Sequence, residues 1–204
     1  MDKWIQLPSK EVIKKTIEAL KRNNIDAYFF ETLDEAKKKF FEILPENAEV
    51  LSNSSVTLEE IGISKEIAES GKYNAVKNKL MAMDRKTQGR EMKKIGSSPE
   101  WSVGSVHAIT EDGHILIASN TGSQLPGYTY GADHVIWVVG AQKVVKNTDE
   151  GLKRIFEHSL ALESERVKSA YGMPESYVRR ILILEDEAML GRSTVIFVNQ
   201  VLGY

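Results

Sequence analysis

Cysteine is missing from this chain altogether. That excludes a disulfide framework, a thiol nucleophile and an iron–sulfur cluster held by the chain's own thiolates. No charge of one sign dominates either: 27 Lys and Arg against 29 Asp and Glu leave a formal net charge of −2. Nucleic acid or an anionic membrane is therefore not expected as the main partner. The longest strongly apolar run, Val135–Val139, falls far short of the ~20 residues that span a bilayer. Met1–Pro8 lacks the apolar core of a secretory signal. Together these absences predict a cytoplasmic protein with no membrane span.

Standard catalytic signatures are also lacking. There is no G-x-S-x-G elbow, no P-loop and no G-x-G-x-x-G fingerprint. His107, His114, His134 and His158 show neither H-x-H nor H-x-x-x-H spacing, so no metal site is expected. His107 and His114 fall where they could face each other across a predicted hairpin, a position in which half-buried neutral histidines are ordinary.

What is present is the composition of a folded chain, 42% hydrophobic and 27% charged over 204 residues, the size of one domain. Ser9 caps a helix with Val12, Ile13, Ile17 and Leu20 on one face, ended by Asn23 and Asn24. A strand follows over Ile25–Phe30. Thr32-Leu33-Asp34-Glu35 is a capping box opening a second helix that stops at Pro45. Ala48–Ser52 reads as a short buried strand, and Thr57-Leu58-Glu59-Glu60 as a second capping box. Ser64–Ser70 and Met81–Ile95 read as helical, and Gly96-Ser97-Ser98-Pro99 as a hinge or internal boundary.

Val103–Thr110 and His114–Ala118 are predicted to pair about the turn dipeptide Asp112-Gly113. His134–Val139 is a buried strand. Thr148–Leu162 is a helix with Leu152, Ile155, Phe156 and Leu160 inward. Ile181–Leu184 and Thr194–Val198 are the last strands, and Glu185-Asp186-Glu187 reads as a solvated acidic turn. Helices alternating with short apolar strands predict an α/β fold: a mostly parallel sheet flanked by helices, with one antiparallel hairpin.

Chemistry is expected in polar loops that leave strand ends. Ser54, Ser55 and Thr57 offer hydroxyls where a helix begins, a place that favours anions. Thr121, Gly122, Ser123 and Gln124 form a second loop, in which Gly122 permits close backbone approach. Gln142 and Lys143 form a third. Ligands of open α/β sheets sit beyond the carboxyl ends of the strands, so these loops are expected to converge on one small anion. Glu163 and Arg166 fall on one side of a helix, as a surface ion pair or as part of that site. Arg192, before the last strand, has the guanidinium to hold a carboxylate or simply sits in a turn.

At this point the residues resemble a known family. Ala108-Ile109-Thr110-Glu111-Asp112-Gly113, Ala118-Ser119-Asn120-Thr121-Gly122-Ser123-Gln124-Leu125 and His134–Val145 look like the LUD-domain (lactate-utilisation) proteins. Ser54–Gly62, Glu163–Gly172, Gly191–Val195 and Leu202-Gly203-Tyr204 fit as well, so the likeness is good over residues 45–204 and loose over 1–44. The resemblance implies one LUD-like domain with a NagB/RpiA/CoA-transferase-like fold. It also implies a part in bacterial oxidation of L-lactate to pyruvate beside iron–sulfur or flavin subunits. Longer relatives carry cysteine-rich ferredoxin segments; without cysteine, any redox centre here belongs to a partner.

Three readings follow. The favoured one is a non-redox subunit or accessory that binds a small anion, with no covalent or cysteine-held cofactor. The second is a stand-alone enzyme of the isomerase, CoA-transferase or cyclo-ligase type, using Glu100 or Glu163 as base or nucleophile. The third is a pure interaction module. A homo-oligomer is compatible with each.

Overall fold

Strands that are apolar on successive residues must be covered on both faces. The computed structural model of this chain, which describes residues 2–204, shows how that cover is supplied. Numbered along the chain, six strands form a parallel sheet: β1 (Asp26–Phe30), β10 (Ser193–Val198), β7 (His134–Gly140), β4 (Trp101–Gly104), β2 (Glu49–Ser52) and β3 (Asn74–Ala75), in that order. Four more form a mixed sheet in the order β8 (Val144–Val145), β5 (Ala108–Thr110), β6 (Ile115–Ser119) and β9 (Arg180–Leu184).

Side chains alternate across the parallel sheet, as the pleat requires. Ile136, Val138, Ile196 and Val198 face one way. There they meet Phe40 of α2 (Leu33–Ile43), Leu58 of α3 (Val56–Glu60) and Ile67 of α4 (Ile63–Glu69). Val135, Trp137, Val139, Val195 and Phe197 face the other way, onto Ile109, Ile115 and Ile117 of the mixed sheet and Leu20 of α1 (Lys10–Arg22). The far side of the mixed sheet, Ala108, Leu116 and Ala118, packs on Trp4 and Ile155. The order is helices, sheet, sheet, helices.

Several local expectations hold in atomic detail. Ser9 caps α1 by accepting the Val12 N–H, and Thr32 with Glu35 closes a complete capping box on α2. The Asp112-Gly113 turn closes the β5–β6 hairpin with Gly113 at φ +90°, its N–H bonded to the Thr110 carbonyl. A side chain at Gly113 would also strike the α1 backbone.

Four expectations are corrected. Val103–Thr110 is not one strand: β4 belongs to the parallel sheet and β5 to the mixed sheet, so Ser105–His107 crosses between layers. The cap of α3 is Ser55, not Thr57, whose buried hydroxyl has other partners. The helix expected over Met81–Ile95 starts later, as α6 (Arg85–Ser97) capped by Asp84, while Met81 ends a separate short helix, α5 (Val76–Met81); α6 runs through the expected break at Gly96-Ser97. The 148–162 helix is α7 (Thr148–Arg154), a wide π-turn over Ile155–Ser159, and α8 (Leu160–Tyr171). A π-turn adds a residue to the turn and rotates the face that follows. Within the turn Phe156 is 52% exposed while His158 and Ser159 face inward, and Arg154, the last residue of α7, is buried beside them.

Candidate functional site

Parallel strands deliver their carboxyl ends to one edge, and in this chain that edge opens into a cleft of about 290 Å³. Asn53, Ser54, Ser55 and Thr57 come from the end of β2, and Ser105 and His107 from the crossover after β4. Lys143 enters from the short 3-10 turn after β7, and Ser119, Thr121, Ser123 and Gln124 from the end of β6. Glu163 and Arg166 of α8 and the Tyr204 side chain close the wall. The three polar loops expected from the sequence therefore do share one cavity.

Lys143 is the most unusual group. Its side chain is 1% exposed, and its ammonium nitrogen lies 3.1 Å from Thr57 Oγ1 and 3.2 Å from Ser105 Oγ. Among the described residues no carboxylate lies within ion-pairing distance. Burial, reinforced by the Arg154 charge and opposed by Glu60, holds its pKa well below the ordinary lysine value. Arg154 lies behind the cleft wall, completely buried. Its Nη1 donates to the His107 carbonyl at 2.6 Å and to Ser159 Oγ at 3.2 Å, while Nε and Nη2 have no partner among the described residues. Burial lowers its pKa to about 10 against the raising influence of Asp2.

His107 is a fixed neutral ring. The Ala118 N–H donates to Nδ1 at 3.1 Å, so the ring proton resides on Nε2. Burial first, then Lys143 and Arg154, lower its pKa to about 3. Glu163 is held differently. Arg166 grips both of its oxygens at 2.7 and 2.8 Å, and Tyr204 Oη donates to Oε2 at 2.5 Å. Burial alone would raise its pKa, but these hydrogen bonds outweigh it and hold the carboxylate ionised. The opposite member benefits: Glu163 raises the Arg166 pKa, while burial and Glu163 raise that of the Tyr204 phenol.

The remaining hydroxyls and amides mostly hold one another. Ser55 Oγ accepts the Leu58 N–H, and α3 is too short, at five residues, to concentrate much dipole at that end. Thr121 Oγ1 pairs with Ser123, and Gln124 Oε1 accepts from Ser119 Oγ at 2.9 Å. Gly122 shapes this loop from behind the wall: its φ is +81° and its N–H donates to Ser119 Oγ.

Two expected members are placed elsewhere. Gln142 donates to the Leu202 and Gly203 carbonyls and ties down the chain after β10. Arg192 precedes β10, and the start of a parallel strand lies at the sheet edge opposite the cleft. It is buried there against the carbonyls of Gly127, Tyr128 and Ala132, and pairs with Glu187 at 2.8 Å. Glu187 is thus a buried partner rather than part of a solvated turn. Glu100 lies just before the start of β4, at that same distant edge, where its carboxylate accepts the Glu49 N–H. His114 lies at the far end of its hairpin near Asp112 and does not face His107.

Sequence reasoning missed Ser105, Arg154, Tyr128 and the part played by His107. The polar pair Ser105-x-His107 interrupts an apolar run, and that interruption was the available signal of a crossover. Tyr128 had none: its ring packs edge-on against Trp137, and its hydroxyl occupies the space a Gly104 side chain would need.

The class of fold is shared with a solved DUF162-family protein from Deinococcus radiodurans. The two chains superpose with a TM-score of 0.56 at 10% identity, covering 95% of this chain and 99% of that one. The LUD-domain family model matches residues 13–187. This chain belongs to the LUD-domain family, whose name denotes lactate utilisation. The match reaches back into α1 and stops before β10, so the likeness of Gly191–Val195 and Leu202–Tyr204 lies outside it. No curated protein matches the chain. No helix among the described residues is long and apolar enough to cross a membrane.

Proposed function

We propose that this chain is a non-redox component of lactate utilisation whose cleft binds a small carboxylate, with L-lactate and pyruvate as first candidates. The observation that carries this reading is a pair of buried basic side chains without a carboxylate partner, Lys143 in the cleft and Arg154 behind its wall. Buried cations are normally paired, because removing charge from water is costly. Here the missing counter-charge is supplied by the ligand. The family's name points to the same acids. Electrons removed from lactate would pass to a separate iron–sulfur or flavin subunit, since this chain has no cysteine to hold a cluster.

Isothermal calorimetry with both acids tests the reading. The wild type is expected to bind at one site, and Lys143→Met to lose at least about thirtyfold in affinity, the cost of removing one member of a buried charge pair. An anion beside Lys143 favours its protonated form, so binding draws a proton from solution and weakens as pH rises. Failure of the wild type to bind either acid, or equal binding by Lys143→Met, overturns it.

A further inference from the structure

We propose that Lys143 is a Schiff-base lysine, whose amine condenses with the carbonyl carbon of a small 2-oxo acid held in the cleft. The proposal rests on the carboxylate reading above and narrows the ligand to acids with an adjacent ketone or aldehyde.

Three features converge on it. First, the amine is presented as a nucleophile. A neutral lysine has two N–H groups, and Thr57 Oγ1 and Ser105 Oγ are placed to take both. Thr57 donates its own proton to the Leu202 carbonyl, so toward Lys143 it accepts. That leaves the nitrogen lone pair without a protein donor among the described residues, on a side chain that lines the cleft. A desolvated lysine near a second cation is how proteins obtain a reactive amine at neutral pH, and Arg154 is that cation. Second, the cleft holds a neutral N–H donor. His107 Nε2 carries the ring proton and has no acceptor among the described residues. A neutral imidazole N–H polarises a carbonyl oxygen without donating its charge to the site. Third, the volume of about 290 Å³ suits a small molecule, and beside Lys143, where no carboxylate reaches the amine, the buried Arg154 behind the wall favours an anionic one.

The step balances without an oxidant. The lysine nitrogen attacks C2, and the carbonyl electron pair moves to oxygen, which is protonated to give a carbinolamine. That hydroxyl leaves as water with one further proton, and the nitrogen becomes a protonated imine. Amine, 2-oxo acid anion and one proton give iminium carboxylate and water. While protonated, the product places an iminium cation beside the bound carboxylate. A 2-hydroxy acid has no such carbon, so lactate binds without condensing and the two acids are distinguished by a covalent bond.

Incubation of the full chain with pyruvate and cyanoborohydride, followed by peptide mass mapping, tests this. Reduction should leave one carboxyethyl group on Lys143, formed at least about ten times faster than on any surface lysine. L-Lactate should leave none. Ser105→Ala, which retains the amine but loosens its tether, should label more slowly; an unchanged rate would overturn the role assigned to Ser105. Calorimetric binding of pyruvate without a Lys143 adduct overturns the covalent proposal and leaves the carboxylate reading standing. Absence of both binding and adduct overturns the two together, and labelling spread evenly over the lysines overturns the special reactivity of Lys143.

Discussion

At the scale of single residues, burial decides what each polar group does. His107 has a folded-state pKa near 3 against an ordinary value of 6.5. Between those values the unfolded chain binds the extra proton, so stability contributed by the neutral ring is full above pH 6.5 and is lost as pH falls toward 3. His107→Asn keeps an acceptor for the Ala118 N–H and does not titrate. Urea melts across that window should therefore show a shallower acid loss in the variant than in the wild type. Arg192 has a different role, four hydrogen bonds to protein partners and none to the cleft. Arg192→Met should cost about 3–5 kcal/mol by leaving Glu187 buried and unpaired. Affinity for carboxylates should not change, in contrast to Lys143→Met.

At the scale of elements, the π-turn between α7 and α8 is the feature with most consequence. An uninterrupted helix would point both Ile155 and Phe156 inward; with the wide turn Ile155 stays buried, Phe156 is exposed, and His158 and Ser159 take the inner face. Ile155→Ala is accordingly expected to cost about 2–5 kcal/mol, as for a fully buried aliphatic side chain. Phe156→Ser should stay within about 0.5 kcal/mol. Equal losses in thermal or urea unfolding would mean that the turn does not set the facing of this helix. Most element boundaries were legible: the Ser9 cap, the Thr32–Glu35 box and the Asp112-Gly113 turn act through neighbours within a few residues. The second capping box failed because Ser55 and Thr57 both suit a helix start. Tertiary contact chose between them, since Thr57 is drawn to Lys143 and Leu202 from distant parts of the chain.

At the scale of the molecule, the two sheets share a core, and the cleft forms where residues leave one layer for the other. A ligand seated there touches segments from β2, β4, β6, β7 and α8 together. At a hundred times its dissociation constant it should stabilise the fold by about 2.7 kcal/mol. Calorimetric melting should then show one transition shifted upward as a unit. Movement of one of two separate transitions would show that the layers melt independently. The convergence of the Ser54 and Lys143 loops follows the parallel-sheet rule, whereas the Ser123 loop leaves β6 of the mixed sheet and reaches the cleft because the two sheets are stacked. Arg192 was legible as preceding the last strand of a mostly parallel sheet, which by the same rule sets it away from the cleft; only the structure shows what it holds there, Glu187 and three backbone carbonyls.

By itself the amino-acid order determined the helices, the strands, most of the caps, the α/β class and the absence of thiol chemistry. These follow from side-chain periodicity and from hydrogen bonds between near neighbours. Only the tertiary structure decided that Val103–Thr110 divides between two sheets, that Arg192 is a strut and that Lys143 lacks an acidic partner. Each of those depends on which distant groups share a buried space, and the energy of a buried charge is set by that company rather than by adjacent residues.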